Sequence, residues 1–151
     1  MGTHKDFGYY DAKHVYSWAI VNSRLLGQDR IVSNTESIRT SPYRLFVSIY
    51  RPTSPSSENC SVLLKSLKIV THENQTIAVL PNKNEKFEKS PEGYKAIFTF
   101  DDMKLEYEDY ILHLSASVIG CEESHEIEIK LFLNRNYQED KISLWDKLMG
   151  V

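Results

Sequence analysis

The chain has 151 residues, 41% apolar and 26% charged, which suits one globular domain around a single core and argues against wholesale disorder. A net charge of −3 excludes a general nucleic-acid binder, whose phosphate contacts need a concentrated field of Lys and Arg. Nine Tyr, six Phe and two Trp, set among many Ile, Val and Leu, favour pleated, half-buried strands over helices.

Residues 1–12 read as a flexible lead-in without the apolar stretch of a signal peptide. From His14 to Leu26 the pattern fits both periods. Val15, Ser17, Ala19 and Val21 alternate with Tyr16, Trp18 and Ile20, while Val15, Trp18, Val21 and Leu25 sit at helical spacing. The β-branched and aromatic side chains of its first half favour the strand. Tyr43–Arg51 is a clear strand, with Leu45, Val47 and Ile49 on one face and Arg44, Phe46, Ser48 and Tyr50 on the other. Pro42 bounds it on one side, and the turn-rich run from Pro52 to Asn59 on the other. Ser61–Thr71 and Gln75–Leu80 follow as strands around a turn at His72-Glu73-Asn74, and Pro81–Gly93 reads as a charged loop. Tyr94–Phe100 is a further strand, with Tyr94, Ala96, Phe98 and Phe100 on one face.

The C-terminal half alternates most regularly. Tyr110, Leu112, Leu114, Ala116 and Val118 define one face of a strand over Tyr110–Ile119, and Ile127, Ile129, Leu131 and Leu133 one face of a strand over Glu126–Leu133. Gly120-Cys121-Glu122-Glu123-Ser124 between them predicts a hairpin connection. Beyond it, Ile142, Trp145, Leu148 and Met149 recur at helical spacing within 137–151, so a short amphipathic helix is expected there. A helix of that length needs something to dock on. These four residues are therefore the candidate interaction stripe if the helix does not pack on its own domain.

Strands at this spacing, with no crossover helices between them, predict a mainly β chain: an antiparallel β-sandwich in one domain spanning 1–151. Leu105–Ala116, with Tyr110-x-Leu112-x-Leu114-x-Ala116 after an acidic turn, resembles the E–F corner of immunoglobulin-like and fibronectin type III sandwiches. The resemblance implies that the Tyr110 hydroxyl bonds backbone across the corner and that the following hairpin is the F–G pair. Cys60 and Cys121 stand about as far apart as the bridged cysteines of antibody domains. Cys121, however, falls in the turn, and no Trp follows Cys60 where the core Trp would stand, so an inter-sheet disulfide is not carried over.

The known catalytic patterns are missing from the sequence: no Gly-rich phosphate loop, G-x-S-x-G, H-E-x-x-H or paired C-x-x-C occurs. An enzyme would require His113 or His125 to converge with carboxylates in a cleft, and His113 reads instead as a half-exposed sheet residue. The densest cluster of potential ligands is Cys121, Glu122, Glu123 and His125 at the hairpin tip, a weak candidate for zinc because a flexible tip suits a strict tetrahedron poorly. No cofactor is expected. Tyr9, Tyr10, Tyr16 and Trp18 form an aromatic cluster suited to the core or to stacking on a sugar. Between Asp101 and Glu128 acidic residues far outnumber the one lysine, Lys104, which describes a solvated face or a dock for a basic partner. Asn59-Cys60-Ser61 and Asn74-Gln75-Thr76 fit the glycosylation sequon. With no apolar run long enough to span a bilayer, a cytoplasmic location is favoured unless a leader has been removed. The leading expectation is a non-catalytic interaction or structural module, with a protein partner or a second copy; carbohydrate binding is the alternative.

Overall fold

A computed structural model of the chain describes residues 3–4, 9–33, 36–52, 54, 59–106, 108–121 and 123–134. The described residues form eleven strands and no helix: β1 (Thr3–His4), β2 (Tyr9–Val15), β3 (Ile20–Ser33), β4 (Glu36–Arg51), β5 (Ser61–Thr71), β6 (Thr76–Leu80), β7 (Lys83–Lys86), β8 (Glu88–Ser90), β9 (Gly93–Met103), β10 (Tyr110–Ile119) and β11 (His125–Leu133). One sheet runs β2-β3-β4-β9-β8, with the short β1 added parallel to β4. The other runs β11-β10-β5-β6, with β7 also paired to β5. Apart from β1, every pairing is antiparallel.

Alternation places the core. In the first sheet Val21, Leu25, Leu45, Val47, Ile49, Ala96 and Phe98 turn inward; in the second Val62, Leu64, Leu67, Ile69, Leu112, Leu114, Ala116, Val118, Ile127 and Leu131 do so. A side-chain period of two lets each strand bury one set of residues and expose the other, so two such sheets pack face to face. The central strand β10 is paired along its length on both sides, from Tyr110 against Leu133 and Thr71 to Val118 against His125 and Val62. Glycine at 120 follows from the turn beyond it: φ is 73°, and a Cβ there would lie 2.2 Å from the Asn59 carbonyl oxygen.

The corner before β10 forms as the resemblance implied. The Tyr110 hydroxyl donates to the Glu106 carbonyl at 2.9 Å and accepts from the Glu106 N–H at 3.1 Å. Burial pushes its phenol pKa upward, as expected for a hydroxyl beside the core. At the opposite end of β10, Cys60 and Cys121 are bridged, with Cα atoms 4.7 Å apart. The bridge closes the ends of β5 and β10, neighbours in one sheet, and so differs from an inter-sheet bond.

Several sequence expectations are corrected. His14–Leu26 is not one strand: residues 16–19 turn between β2 and β3, where the Tyr16 N–H donates to the Ala19 carbonyl at 2.8 Å. A strand begins at Tyr9, within the segment read as a flexible lead-in. Tyr10 anchors it, buried against the Tyr43 and Tyr110 rings, with its hydroxyl donating to the Glu108 carbonyl at 2.7 Å. Pro42 does not bound β4, because the register of β3 and β4 shifts between Gly27 and Gln28; a proline at such an irregularity forfeits no ladder bond, and pairing resumes on both sides. The loop expected over Pro81–Gly93 contains β7 and β8. Around Phe87 the chain leaves β5 in one sheet and joins β9 in the other, a switch that charged, alternating residues disguise. The helix expected over 137–151, with Ile142, Trp145, Leu148 and Met149, lies outside the described residues.

Replacing Tyr110 by Phe keeps the ring but strands the Glu106 amide and carbonyl. Urea unfolding is expected to show a loss of about 1–2 kcal/mol; an unchanged midpoint would contradict the role given to the corner.

Candidate interaction surface

Since the inner faces are filled, functional chemistry has to lie on outer faces, edges and loops. The outer face of the second sheet is built by register. His113 on β10 stands directly between Lys130 on β11 and Lys68 on β5. In the next row Ser115 stands between Glu128 and Ser66, and in the one after it Ser117 lies opposite Glu126. The first and third of these rows differ in how their charges are met. Glu126 accepts from Lys65 at 2.6 Å and from Ser117 at 2.7 and 2.8 Å, and these bonds hold its carboxyl below the usual range. Lys68 and Lys130 have no carboxylate partner among the described residues. The Nε2 of His113 is screened from solvent and makes no hydrogen bond. Burial, then the charges of Lys130 and Lys68, hold its imidazole pKa below the usual 6.5. The three side chains line a groove of about 450 Å³ with Ser66, Ser115 and Glu128.

Beside Lys68 in the same register lies Val79 of β6, the outermost strand of that sheet. Its sequence, TIAVL, carries no charge and no proline, and Val79 and Ile77 are 71% and 41% exposed. Natural edges are usually guarded by Lys, Pro, a bulge or a covering segment. The residues of β6 carry neither of the first two; its pairing with β5 does shift once, at Ile77, between the Val70–Thr76 and Ile69–Ala78 pairs.

At the hairpin end the aromatic residues stack on one another. Trp18 lies on the His125 ring, with centroids 3.9 Å apart and planes 12° from parallel, and Tyr16 lies 5.7 Å from Trp18. The contact ties the turn after β2 to the start of β11. His125 Nε2 stands 3.6 Å from Glu123 Oε2. Cys121 is held by the bridge to Cys60, so its thiolate is lost to any ligand set, and Glu122 lies outside the described residues. Among the described residues no group of three His, Cys, Asp or Glu is placed to hold a metal. Arg51 of the first sheet reaches the bridge, with Nη1 at 3.7 and 4.0 Å from the two sulfurs.

The chain matches no family model, no curated protein and no solved structure. Of the histidines weighed from sequence, His125 meets one carboxylate and His113 meets two lysines. Reading His113 as a half-exposed sheet residue left out Lys68 and Lys130 beside it. Lys130 was within reach, because the hairpin places it opposite His113; Lys68 depends on the distant pairing of β5 with β10, which no local pattern announces.

The pH response follows from the depressed His113 pKa. Above 6.5 neither folded nor unfolded His113 holds a proton, and it contributes nothing. As pH falls through 6.5 the unfolded chain protonates first, and the folded state loses stability until its own lower pKa is passed. Urea unfolding of the native protein and of His113→Gln should therefore diverge only as pH falls through this window, the native protein losing more. Parallel curves would contradict the environment described.

Proposed function

We propose that this chain is a non-catalytic interaction module of the immunoglobulin-like kind that takes an extended segment of another protein as an added strand beside β6. The observation that carries the reading is the bare edge of that strand: backbone groups with no neighbour on the outer side among the described residues, flanked by exposed Ile77 and Val79. An extended peptide gains affinity from main-chain hydrogen bonds to such an edge and specificity from alternate side chains. Here those side chains would rest on Ile77 and Val79, and the neighbouring Lys68 favours a segment that also carries an acidic group.

The strand orders support the immunoglobulin-like assignment. Four strands in the order β11-β10-β5-β6 face a sheet in which β4 lies between β3 and β9, and the chain passes between the sheets after β4, near Phe87 and after β9. The Tyr110 corner supports it too. The bridge within one sheet departs from the antibody pattern. A bridged Cys60–Cys121 pair also supports an oxidising compartment over the cytoplasmic location that the composition favours.

Linear peptides selected on the immobilised protein from a random library test this reading. The double substitution Ile77→Lys and Val79→Lys is expected to weaken them by about tenfold or more, with stability kept within about 0.5 kcal/mol. Peptides that bind the double variant as well as the native protein would contradict the assignment of the edge.

A further inference from the structure

We propose that Lys68, His113 and Lys130 form a binding site for a doubly charged tetrahedral oxyanion, the chemistry of a phosphate monoester, on the outer face of the second sheet. The site borders the β6 edge and shares Lys68 with it, but it does not require strand addition there.

Geometry is the first support. Register sets the three residues in one row across three adjacent strands, so the outer two backbones stand two strand spacings, about 10 Å, apart. Two lysine side chains can converge over the imidazole between them across that span. Like charges directly opposite on a sheet are destabilising, yet this row sets two lysines against one histidine with no carboxylate interposed. Two rows further along the strand the ordinary solution is found: Lys65 neutralises Glu126, and the Ser117 hydroxyl donates to the same carboxylate.

The second support is the unmet hydrogen-bonding capacity. His113 Nε2 is screened from solvent without a partner. An oxyanion would accept from both ammonium groups, and from this nitrogen once the ring turns it into the groove, with the Ser66 and Ser115 hydroxyls lining the same groove as further donors. Glu128 is the one acidic residue in the groove, and it fixes the charge the site will take. Against the two lysines it leaves an excess of one positive charge with His113 neutral, and of two once His113 is protonated. That second state matches a dianion. Neither Ser66, Ser115 nor Val79 adds charge.

Binding and protonation of His113 are then linked. The lysines that now oppose a proton on the ring are neutralised by the anion, so occupancy moves the His113 pKa upward. The test follows the His113 Cε1–H resonance against pH in sodium chloride, inorganic phosphate, phenyl phosphate or sodium acetate at matched ionic strength. A rise of about one unit in phosphate over chloride, lost in the Lys68→Gln/Lys130→Gln double variant, is the expected result. A rise with both phosphate probes assigns the site to the phosphate group itself; a rise with phenyl phosphate alone assigns it to the ester. A response to acetate equal to that to phosphate would overturn the dianion assignment, and curves identical to chloride would overturn the site. Both lysines lie on the outer face, and an unchanged circular dichroism spectrum checks that the double variant is folded.

Discussion

Everything else in this molecule depends on β10 being satisfied on three sides at once. Its inward side chains, Leu112, Leu114, Ala116 and Val118, are buried, and β5 and β11 take its backbone groups on either side. A buried strand with unpaired N–H and C=O groups would be costly, so the neighbours are obligatory. Once they are in place, a slip of one residue would turn the whole apolar set outward. Both ends of the strand are also tied: the Tyr110 hydroxyl pins the corner at one, and the Cys60–Cys121 bridge clamps β10 to β5 at the other. The register that sets His113 between two lysines is a by-product of this core requirement, and that rigidity lets three polar side chains keep a defined row on the outer face.

The same constraint sends function outward. Apolar side chains from both sheets fill the interior, so the two surfaces with unspent potential lie on the second sheet's exterior. One is the edge strand β6, which has no outer neighbour among the described residues; the other is the Lys68–His113–Lys130 row, whose two lysines are set against the single carboxylate of Glu128 in the groove. They adjoin at the pairing of Lys68 with Val79. At the hairpin tip Cys121 is bridged and His125 is stacked on Trp18.

Much of the fold was legible because strand alternation is local. Tyr43–Arg51, Tyr94–Phe100 and the two strands of Tyr110–Leu133 were read with their buried faces, since one side chain in two must reach the core. The failures share a cause in tertiary context. Residues 16–19 hide a turn among aromatic residues that a strand would also accept. Pro42 looked like a stop only because the irregularity that tolerates it requires β3 as partner. The residues of β7 and β8 are too polar to announce strands, and pair because β5 and β9 offer them edges. The candidate site was half visible: outward-facing His113 and Lys130 followed from the hairpin, whereas Lys68 needed a contact across more than forty residues of chain.

Amide hydrogen exchange, resolved residue by residue, tests the central claim most directly: a fully flanked β10 and an open β6 in one sheet. The account predicts slow exchange at successive amides of β10, with slow and fast amides mixed along Thr76–Leu80 and alternating over Ala78–Leu80, past the register shift at Ile77, where every second N–H faces away from β5. Uniform protection along Thr76–Leu80, or alternation along Tyr110–Ile119, would contradict the sheet order on which the architecture and both surface readings stand.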